Sequence, residues 1–238
     1  SMAVQLNSEQ LRPVFAWFVN QLAIFNEITP LGQHFSVEML RKPDGKRAIC
    51  DFLTSADISI SDIEVVTRKV SGQAVHFDMA AGKTEVRNEE QEVNELLFHH
   101  VTDQGKAVFS LGDESMGTRN LLFLTGPVLD ILDKGMVLVV DELDSSLHPL
   151  LVRRLVELFQ NPSVNKKGAQ LIFTTHDTSL LDPDLFRRDQ IWFVEKDRDQ
   201  ASKLYPLSDF SPRKNEALER GYLMGRYGAL PFLGDWGG

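Results

Sequence analysis

The apolar run from Met136 to Val140 constrains the fold more strongly than any other stretch of this chain. The run is rich in valine, follows Gly135 and leads directly into Asp141 and Glu142. Such a run is typical of a short strand buried on both faces, as in a parallel sheet with helices above and below. It predicts an α/β fold in which the two acids lie at the carboxyl edge of the sheet, where open α/β sheets bind their ligands.

Two adjacent acids at such an edge have a defined use in phosphoryl transfer. One carboxylate holds Mg²⁺, directly or through water, and the next orients and deprotonates an attacking water. Asp141 and Glu142 are the candidates for these two roles. A strand that simply ends in two solvated acids would contain the same residues, so the pair alone leaves both interpretations open.

A candidate phosphate site lies upstream, at Ser115 and Gly117. Apolar residues recur at helical spacing after it, so a helix is predicted to begin near Ser115. The first amides of a helix are unpaired and its dipole favours an anion. An ordinary serine cap followed by a flexible glycine is the alternative. Gly126-Pro127 should kink or end this helix, and Gly135 should close its second piece.

A second candidate cluster lies downstream, after the apolar stretch Gln170–Phe173. That stretch predicts another buried strand, and it leads into Thr174-Thr175-His176-Asp177. The ring of His176 could bond a terminal phosphate, although a lone histidine at a strand end is often structural. His176 follows the paired acids by about thirty residues with a helical stretch between, which is the spacing of one βαβ unit.

These three elements, in this order, resemble the carboxyl half of an ABC-type ATPase head. More narrowly, four motifs look like those of the stand-alone prokaryotic ATPases of the AAA family-15 group, which are relatives of the SMC, RecF and OLD ATPases. The motifs are Glu114-Ser115-x-Gly117-Thr118, Asp141-Glu142-Leu143-Asp144-x-Ser146-Leu147-His148-Pro149, Thr174-Thr175-His176-Asp177 and Gly221-Tyr222-Leu223-x-Gly225-Arg226-Tyr227-Gly228-Ala229-x-Pro231-Phe232.

The resemblance assigns roles to individual residues. It implies ATP and Mg²⁺ as cofactors, with Asp141 on the metal and Glu142 and His176 as catalytic residues. It implies a Walker B strand from Val137 to Glu142, and nucleotide binding by the signature motif and D-loop residues Ser115, Gly117, Thr118 and Asp144.

The resemblance also implies partners. Two heads would pair head to tail in a homodimer or higher oligomer of the full protein, so that the signature of one covers the nucleotide of the other. A nuclease effector and a setting in bacterial defence against foreign DNA, such as phage, are implied as well. Contact with nucleic acid is left open.

One part of such an ATPase is missing from the sequence. Hydrolysis needs a Gly-x-x-x-x-Gly-Lys-[Ser/Thr] loop that cradles the phosphates, and this chain has none. The nearest match, Gly82-Lys83-Thr84, has Phe77 in place of the first glycine and no apolar-periodic helix after it, so a hairpin or loop is predicted there. The chain resembles a protein from which that amino-terminal segment is absent, and it should be inactive alone.

The predicted fold is the carboxyl-terminal lobe of an ABC or P-loop NTPase, a largely parallel sheet flanked by helices, preceded by helical and antiparallel β segments. The predicted segments are a helical subdomain at 1–57, an antiparallel β segment at 58–112 and the ATPase core lobe at 113–238. Helices are predicted from Ser8 to about Phe25, where the role is packing, and around Ala48–Leu53. The other local predictions are a turn at Ser71-Gly72, a solvated loop at 88–94, a hairpin around 103–105, a buried strand at 190–194, an edge strand at 203–207 and a tail docked by its aromatic residues.

Composition limits the remaining function classes. The 238 residues carry 25 basic and 34 acidic side chains, a net charge of -9, which argues against a broad nucleic-acid-binding face. A single cysteine excludes an internal disulfide framework and fits a reducing compartment. No apolar run approaches the roughly 20 residues that span a bilayer. We therefore expect a soluble, cytoplasmic protein.

Three other classes fit parts of the pattern. Asp141-Glu142-x-Asp144 could be the acidic motif of a helicase, which would also need a phosphate loop. Asp141, Glu142, Asp144 and His176 could instead form a metal-dependent nuclease site, which would leave the Ser115-x-Gly117 motif without a purpose. A non-catalytic interaction module is the third alternative, because the phosphate loop is missing.

Overall fold

The structure is a computed structural model that describes residues 8–25, 30–78, 83–103, 105–197, 199–211 and 217–231. The chain divides between Thr174 and Thr175 into two compact units. In the described ranges, no helix is long and apolar enough to cross a membrane. The predicted segment boundaries at 57/58 and 112/113 stay predictions.

The described residues form both helices and strands, and only part of the chain alternates between them. The helices are α1 Arg12–Asn20, α2 Pro30–Leu40, α3 Pro43–Ser55, α4 Met116–Lys134, α5 Pro149–Gln160 and α6 Leu218–Leu223. The strands are β1 Leu22–Phe25, β2 Ile60–Asp78, β3 Lys83–Thr102, β4 Gly105–Ser110, β5 Val137–Val140, β6 Gln170–Phe173, β7 Trp192–Lys196 and β8 Ser202–Pro206.

The first unit contains a parallel sheet in the order β1-β5-β6. The helix α5 lies between β5 and β6 in sequence, so these two strands and their connection form the predicted βαβ unit. The buried side chains of Leu138 and Val140 line one face of the central strand. The predicted α/β class, a parallel sheet flanked by helices with separate antiparallel strands, is confirmed.

The helix predicted from Ser8 to Phe25 is wrong at its carboxyl end. It stops at Asn20, and β1 follows and pairs in parallel with β5, with Ile24 opposite Val139. The Val137 amide donates to the Gln21 carbonyl at 2.8 Å and the Asp141 amide to the Phe25 carbonyl at 3.0 Å. A short apolar run fits a strand or a helix equally well, and here the neighbouring strand decides.

The opposite face of the parallel sheet is poorly covered by the described residues. Ile24, Val139 and Ile172 are in register across the three strands, and Ile24 and Ile172 are 57% and 56% exposed. The helix α1 buries none of its residues and exposes large apolar side chains such as Trp17 and Phe18. The packing role predicted for α1 is therefore not found among the described residues. Parallel sheets are normally covered on both faces.

The antiparallel sheet has the order β2-β3-β4 and is built on a long hairpin. The predicted turn at Ser71-Gly72 and the predicted loop at 88–94 are both wrong, because β2 and β3 pair continuously through them. The ladder with β2 lets this polar stretch remain a strand, and the cross-strand ion pair Lys69–Glu90 at 3.9 Å lies within it. The β3–β4 hairpin is confirmed, with Thr102 opposite Gly105 and residue 104 outside the described ranges.

The lysine and threonine of the nearest phosphate-loop match lie in this hairpin. Lys83 pairs with Asp78 and Thr84 with Phe77 at the start of β3. The other residues of the predicted loop, 79–82, lie outside the described residues. A true phosphate loop leads into a helix rather than an antiparallel strand.

The helix α4 passes through Pro127 without ending, so the predicted end there is wrong, and the alternative of a kink stays a prediction. Proline has no N–H for the carbonyl of Phe123, one turn earlier. The buried hydroxyl of Ser36, on α2, donates to the carbonyls of Leu122 at 2.9 Å and Phe123 at 3.3 Å. The side chain of a packed helix thus replaces the missing intrahelical donor. As predicted, Gly135 closes the helix, in the left-handed conformation with φ of 72°.

The second unit is a small aromatic core around the antiparallel pair β7–β8. Phe193 stacks on Tyr222 at 5.5 Å and on Tyr227 at 5.8 Å, which confirms the predicted docking of the tail by its aromatics up to Pro231. Phe232 lies outside the described residues. The strand predicted as buried is half-buried, because Trp192 and Val194 are exposed.

Candidate functional site

The paired acids lie where the sequence predicts them, immediately after β5 at the carboxyl edge of the parallel sheet. Asp141 and Glu142 are both exposed. The neighbouring strand β6 ends at Phe173, opposite Val140, so Thr174 reaches the same edge. Parallel strands bring their carboxyl ends together, which explains why residues more than thirty positions apart meet here.

Thr174 forms hydrogen bonds with both Asp141 and Glu142, a role that the sequence motifs do not predict. Its hydroxyl donates to Asp141 Oδ1 at 2.5 Å and accepts the amide hydrogen of Glu142 at 2.8 Å. Its main chain also joins the strand ends, donating to the Val140 carbonyl at 3.1 Å and accepting from the Leu143 amide at 3.0 Å. The sequence feature that could have identified Thr174 is its position as the first polar residue after β6.

The backbone at Glu142 is unusual. Its φ of 51° lies in the left-handed region, which costs a residue with a side chain of order 1–3 kcal/mol. The turn that follows is anchored by the buried side chains of Leu143 and Leu147. Within it, the Ser145 amide donates to the Glu142 carbonyl at 2.9 Å and the Leu147 amide to the Asp144 carbonyl at 3.1 Å. The half-buried Asp144 therefore lies in an ordered turn.

The predicted helix start at Ser115 is confirmed. Ser115 is the N-cap of α4, and its Oγ accepts the Thr118 amide hydrogen at 3.0 Å. The hydroxyls of Ser115 and Thr118 lie 2.9 Å apart and share a hydrogen bond. Ser115 is exposed, so this polar corner is open to a ligand. Hydrogen bonds from the hydroxyl and amide of Ser110 lower the pKa of Asp113 in the preceding turn.

The helix start packs against the turn that carries Asp144. A Cβ added at Gly117 would lie 3.1 Å from the Ser146 carbonyl oxygen, so glycine permits this close approach. The Asn120 side-chain amide donates to the Ser145 carbonyl at 3.3 Å. The structure thus brings together the predicted signature and D-loop residues of one chain.

Behind the helix start, His100 and Glu114 form a largely buried pair at 2.6 Å. The adjacent His99 lies 3.6 Å from Glu64. Neighbouring residues on a strand point to opposite faces, so the two histidines cannot easily share a metal ion. Across the described ranges, no three His, Cys, Asp or Glu side chains converge as a metal cluster.

His176 belongs to the second unit. It follows β6 in an irregular segment and is exposed. The segment is ordered by short-range bonds, from the Asp177 amide to Thr175 Oγ1 at 3.0 Å and from the Ser179 amide to Asp177 Oδ1 at 2.9 Å. The catalytic role of His176 stays a prediction.

The site is an open edge rather than an enclosed pocket. In the described residues, cavities of about 310 and 350 Å³ are lined by Leu129 and Lys167 and by Tyr205 and Tyr227, among others. None of the predicted site residues lines either cavity. An open edge can bind a ligand whose exposed side is covered by residues from outside this unit.

The chain is similar to a known family of protein domains. Residues 47–182 match the family model described as "AAA domain, putative AbiEii toxin, Type IV TA system". The matched range is more than half of the 238 residues and contains the helix start, the paired acids, Thr174 and His176. No curated protein matches the chain.

Proposed function

This chain belongs to the AAA domain family just described, a family of nucleotide-binding ATPase type, and we propose that it hydrolyses ATP at a site shared between two heads. The observation that carries the proposal is the pair Asp141 and Glu142, fixed by Thr174 at the carboxyl edge of a parallel sheet. The capped helix start at Ser115 provides the surface for a second head.

Asp141 is the proposed Mg²⁺ ligand, and its surroundings fit that ion. Its carboxylate is exposed, and one of its oxygens is bound by the Thr174 hydroxyl. Mg²⁺ in ATPase sites is held by one or two carboxylates with waters and substrate phosphates, so a cage of protein ligands is not needed. When bound, Mg²⁺ would neutralise charge on the transferred phosphate.

Glu142 is the proposed general base. It follows the metal ligand directly, and its backbone is held by bonds from its own amide and to its own carbonyl. A carboxylate carried on a held backbone could orient a water and accept its proton, which contributes typically 10²–10⁴-fold to a rate. His176 would contact the terminal phosphate.

The helix start would act on the nucleotide of the other head. The exposed hydroxyl of Ser115, the half-buried hydroxyl of Thr118 and the amides near Gly117 would stabilise transferred charge there. Asp144, in the turn packed on this helix, would contribute to nucleotide binding. The head-to-tail homodimer or higher oligomer and the use of ATP are proposals that rest on the resemblance and on this exposure.

The phosphate loop would come from a segment outside this sequence. Its strand would pair with an edge strand of the parallel sheet, β1 or β6, each of which pairs only with β5 among the described strands. The helix after the loop would cover the face formed by Ile24, Val139 and Ile172. The exposed apolar residues on that face and on α1 support this proposal.

The finer relationship and setting are also proposals. We place the chain near the AAA family-15 ATPases and the SMC, RecF and OLD ATPases, in the cytoplasm, with a nuclease effector in bacterial defence. The four sequence motifs between Glu114 and Phe232 support this placement. Loss of phage resistance in cells carrying E142Q would be the expected result of a plaque assay, and full resistance would contradict it.

The test of hydrolysis compares this chain with the product of the complete reading frame that contains it. We expect negligible turnover of Mg²⁺-ATP by the chain and clear turnover by a product that carries a phosphate loop. E142Q should lower turnover by roughly 10²-fold or more while ATP still binds. E157Q, which changes a half-buried glutamate on α5 outside the proposed site, is the matched control. Robust turnover by E142Q would remove Glu142 from the role of base.

A further inference from the structure

The side chain of Thr174 forms hydrogen bonds with Asp141 and Glu142 at the same time. Its proton goes to Asp141 Oδ1 and its oxygen receives the amide hydrogen of Glu142. A hydroxyl has one proton to donate and lone pairs to accept with, so the two bonds are compatible. Valine has nearly the same shape and can form neither bond. The chemistry of the hydroxyl, rather than its volume, therefore links the two acids.

The main chain of Thr174 acts separately from its side chain. The bonds from the Thr174 amide to Val140 and from the Leu143 amide to the Thr174 carbonyl join the strand ends on either side of Glu142. A change of side chain leaves both bonds in place. The side chain of Thr174 is exposed, so a substitution can be accommodated without disturbing the core.

We infer that Thr174 is a positioning residue of the proposed ATPase site, an inference that rests on the function proposed above. By donating to Oδ1 of Asp141, its hydroxyl would fix the orientation of the carboxylate that would hold Mg²⁺. By binding the Glu142 amide, it holds that residue in the left-handed conformation that an ordinary side chain disfavours. One hydroxyl thus sets the orientation of the metal ligand and the backbone of the base.

The experiment uses this chain with Mn²⁺ as a probe for the Mg²⁺ site. Paramagnetic broadening of the amide signals of residues 141–143 is followed by NMR as Mn²⁺ is added, and hydrogen exchange of the Glu142 amide is measured separately. T174V should need roughly tenfold more Mn²⁺ for half broadening, the usual effect of losing an outer-shell partner. It should also lose protection of the Glu142 amide.

Three further variants separate loss of the hydroxyl from other effects of a substitution. T174S keeps the hydroxyl and should behave like wild type in both measurements. T125V removes a hydroxyl from the buried middle of α4 in the same unit and should leave both unchanged. If valine is not accommodated, T174A gives the same test, since alanine also lacks the hydroxyl.

Two results would overturn the inference in distinguishable ways. Wild-type broadening and protection in T174V, together with loss of broadening in D141N, would reject Thr174 while leaving the metal role of Asp141 intact. Equal broadening in wild type and D141N would reject Asp141 as the metal ligand, and with it the proposed site on which the inference rests.

Discussion

The hydroxyl of Ser36 should stabilise the protein because Pro127 leaves a carbonyl of α4 without its usual N–H donor. Ser36 is fully buried, and S36A would remove its bonds to the Leu122 and Phe123 carbonyls. The Leu122 carbonyl lies nearer to the Ser36 hydroxyl, but the Gly126 amide can also donate to it within the helix. The Phe123 carbonyl has no such donor, because Pro127 lacks an N–H. An unsatisfied buried acceptor costs about 1–3 kcal/mol. We therefore expect S36A to lower the free energy of unfolding by an amount in that range.

Urea unfolding followed by circular dichroism measures this loss. A slope of about 1–3 kcal/mol per molar urea makes a change of this size visible as a shift in midpoint. The decisive comparison repeats S36A in a P127A background, where an amide at position 127 can donate to the Phe123 carbonyl. The cost of S36A should fall by about 0.5–1.5 kcal/mol, the net worth of one hydrogen bond.

An equal cost of S36A in both backgrounds would refute this account of how the helix passes Pro127. The close packing of the same two helices provides an independent check. A Cβ added at Gly126 would lie 2.8 Å from the Cα of Ser36, a backbone atom that cannot move aside easily. G126A should therefore destabilise the protein by about 1–3 kcal/mol in either background, as overpacked cores do.

Two further predictions concern pairs outside the α2–α4 contact. H100A should destabilise the first unit by about 1–3 kcal/mol in urea unfolding, because it leaves the largely buried Glu114 carboxylate without its partner. H99A, at the more exposed neighbouring pair, is the control and should cost under about 1 kcal/mol; equal costs would contradict the role of burial. Burial, and next the hydrogen bond with Glu195, raises the pKa of Tyr205 to about 12. The stability that Tyr205 contributes through this shift is therefore fully present below its unfolded pKa of about 10. That stability is lost as pH rises through the folded pKa. Wild type should lose more unfolding free energy than Y205F over that window, and parallel pH curves would exclude this contribution.

The local chemistry of the sequence determined several elements. A valine-rich run between a glycine and two acids can form a short buried strand, and β5 confirms it. A serine before a helical pattern is a strong cap, and α4 begins at the next residue. The βαβ spacing placed Gln170–Phe173 beside that strand. The first two features are set by residues close together in the chain and the third by the length of the connection between two strands, so all three can be predicted without knowing the rest of the fold.

Tertiary partners decided the features that local patterns leave open. Leu22–Phe25 became a strand because β5 supplied a ladder, and residues 88–94 stayed in a strand because β2 lay opposite. Ser36, distant in sequence, allowed α4 to continue through Pro127. The same reason applies to the candidate site: the sequence identified Asp141 and Glu142, but only the pairing of β5 with β6 brings the hydroxyl of Thr174 between them. Hydrogen-bond partners far apart in the chain leave no periodic signal, so the fold alone determines them.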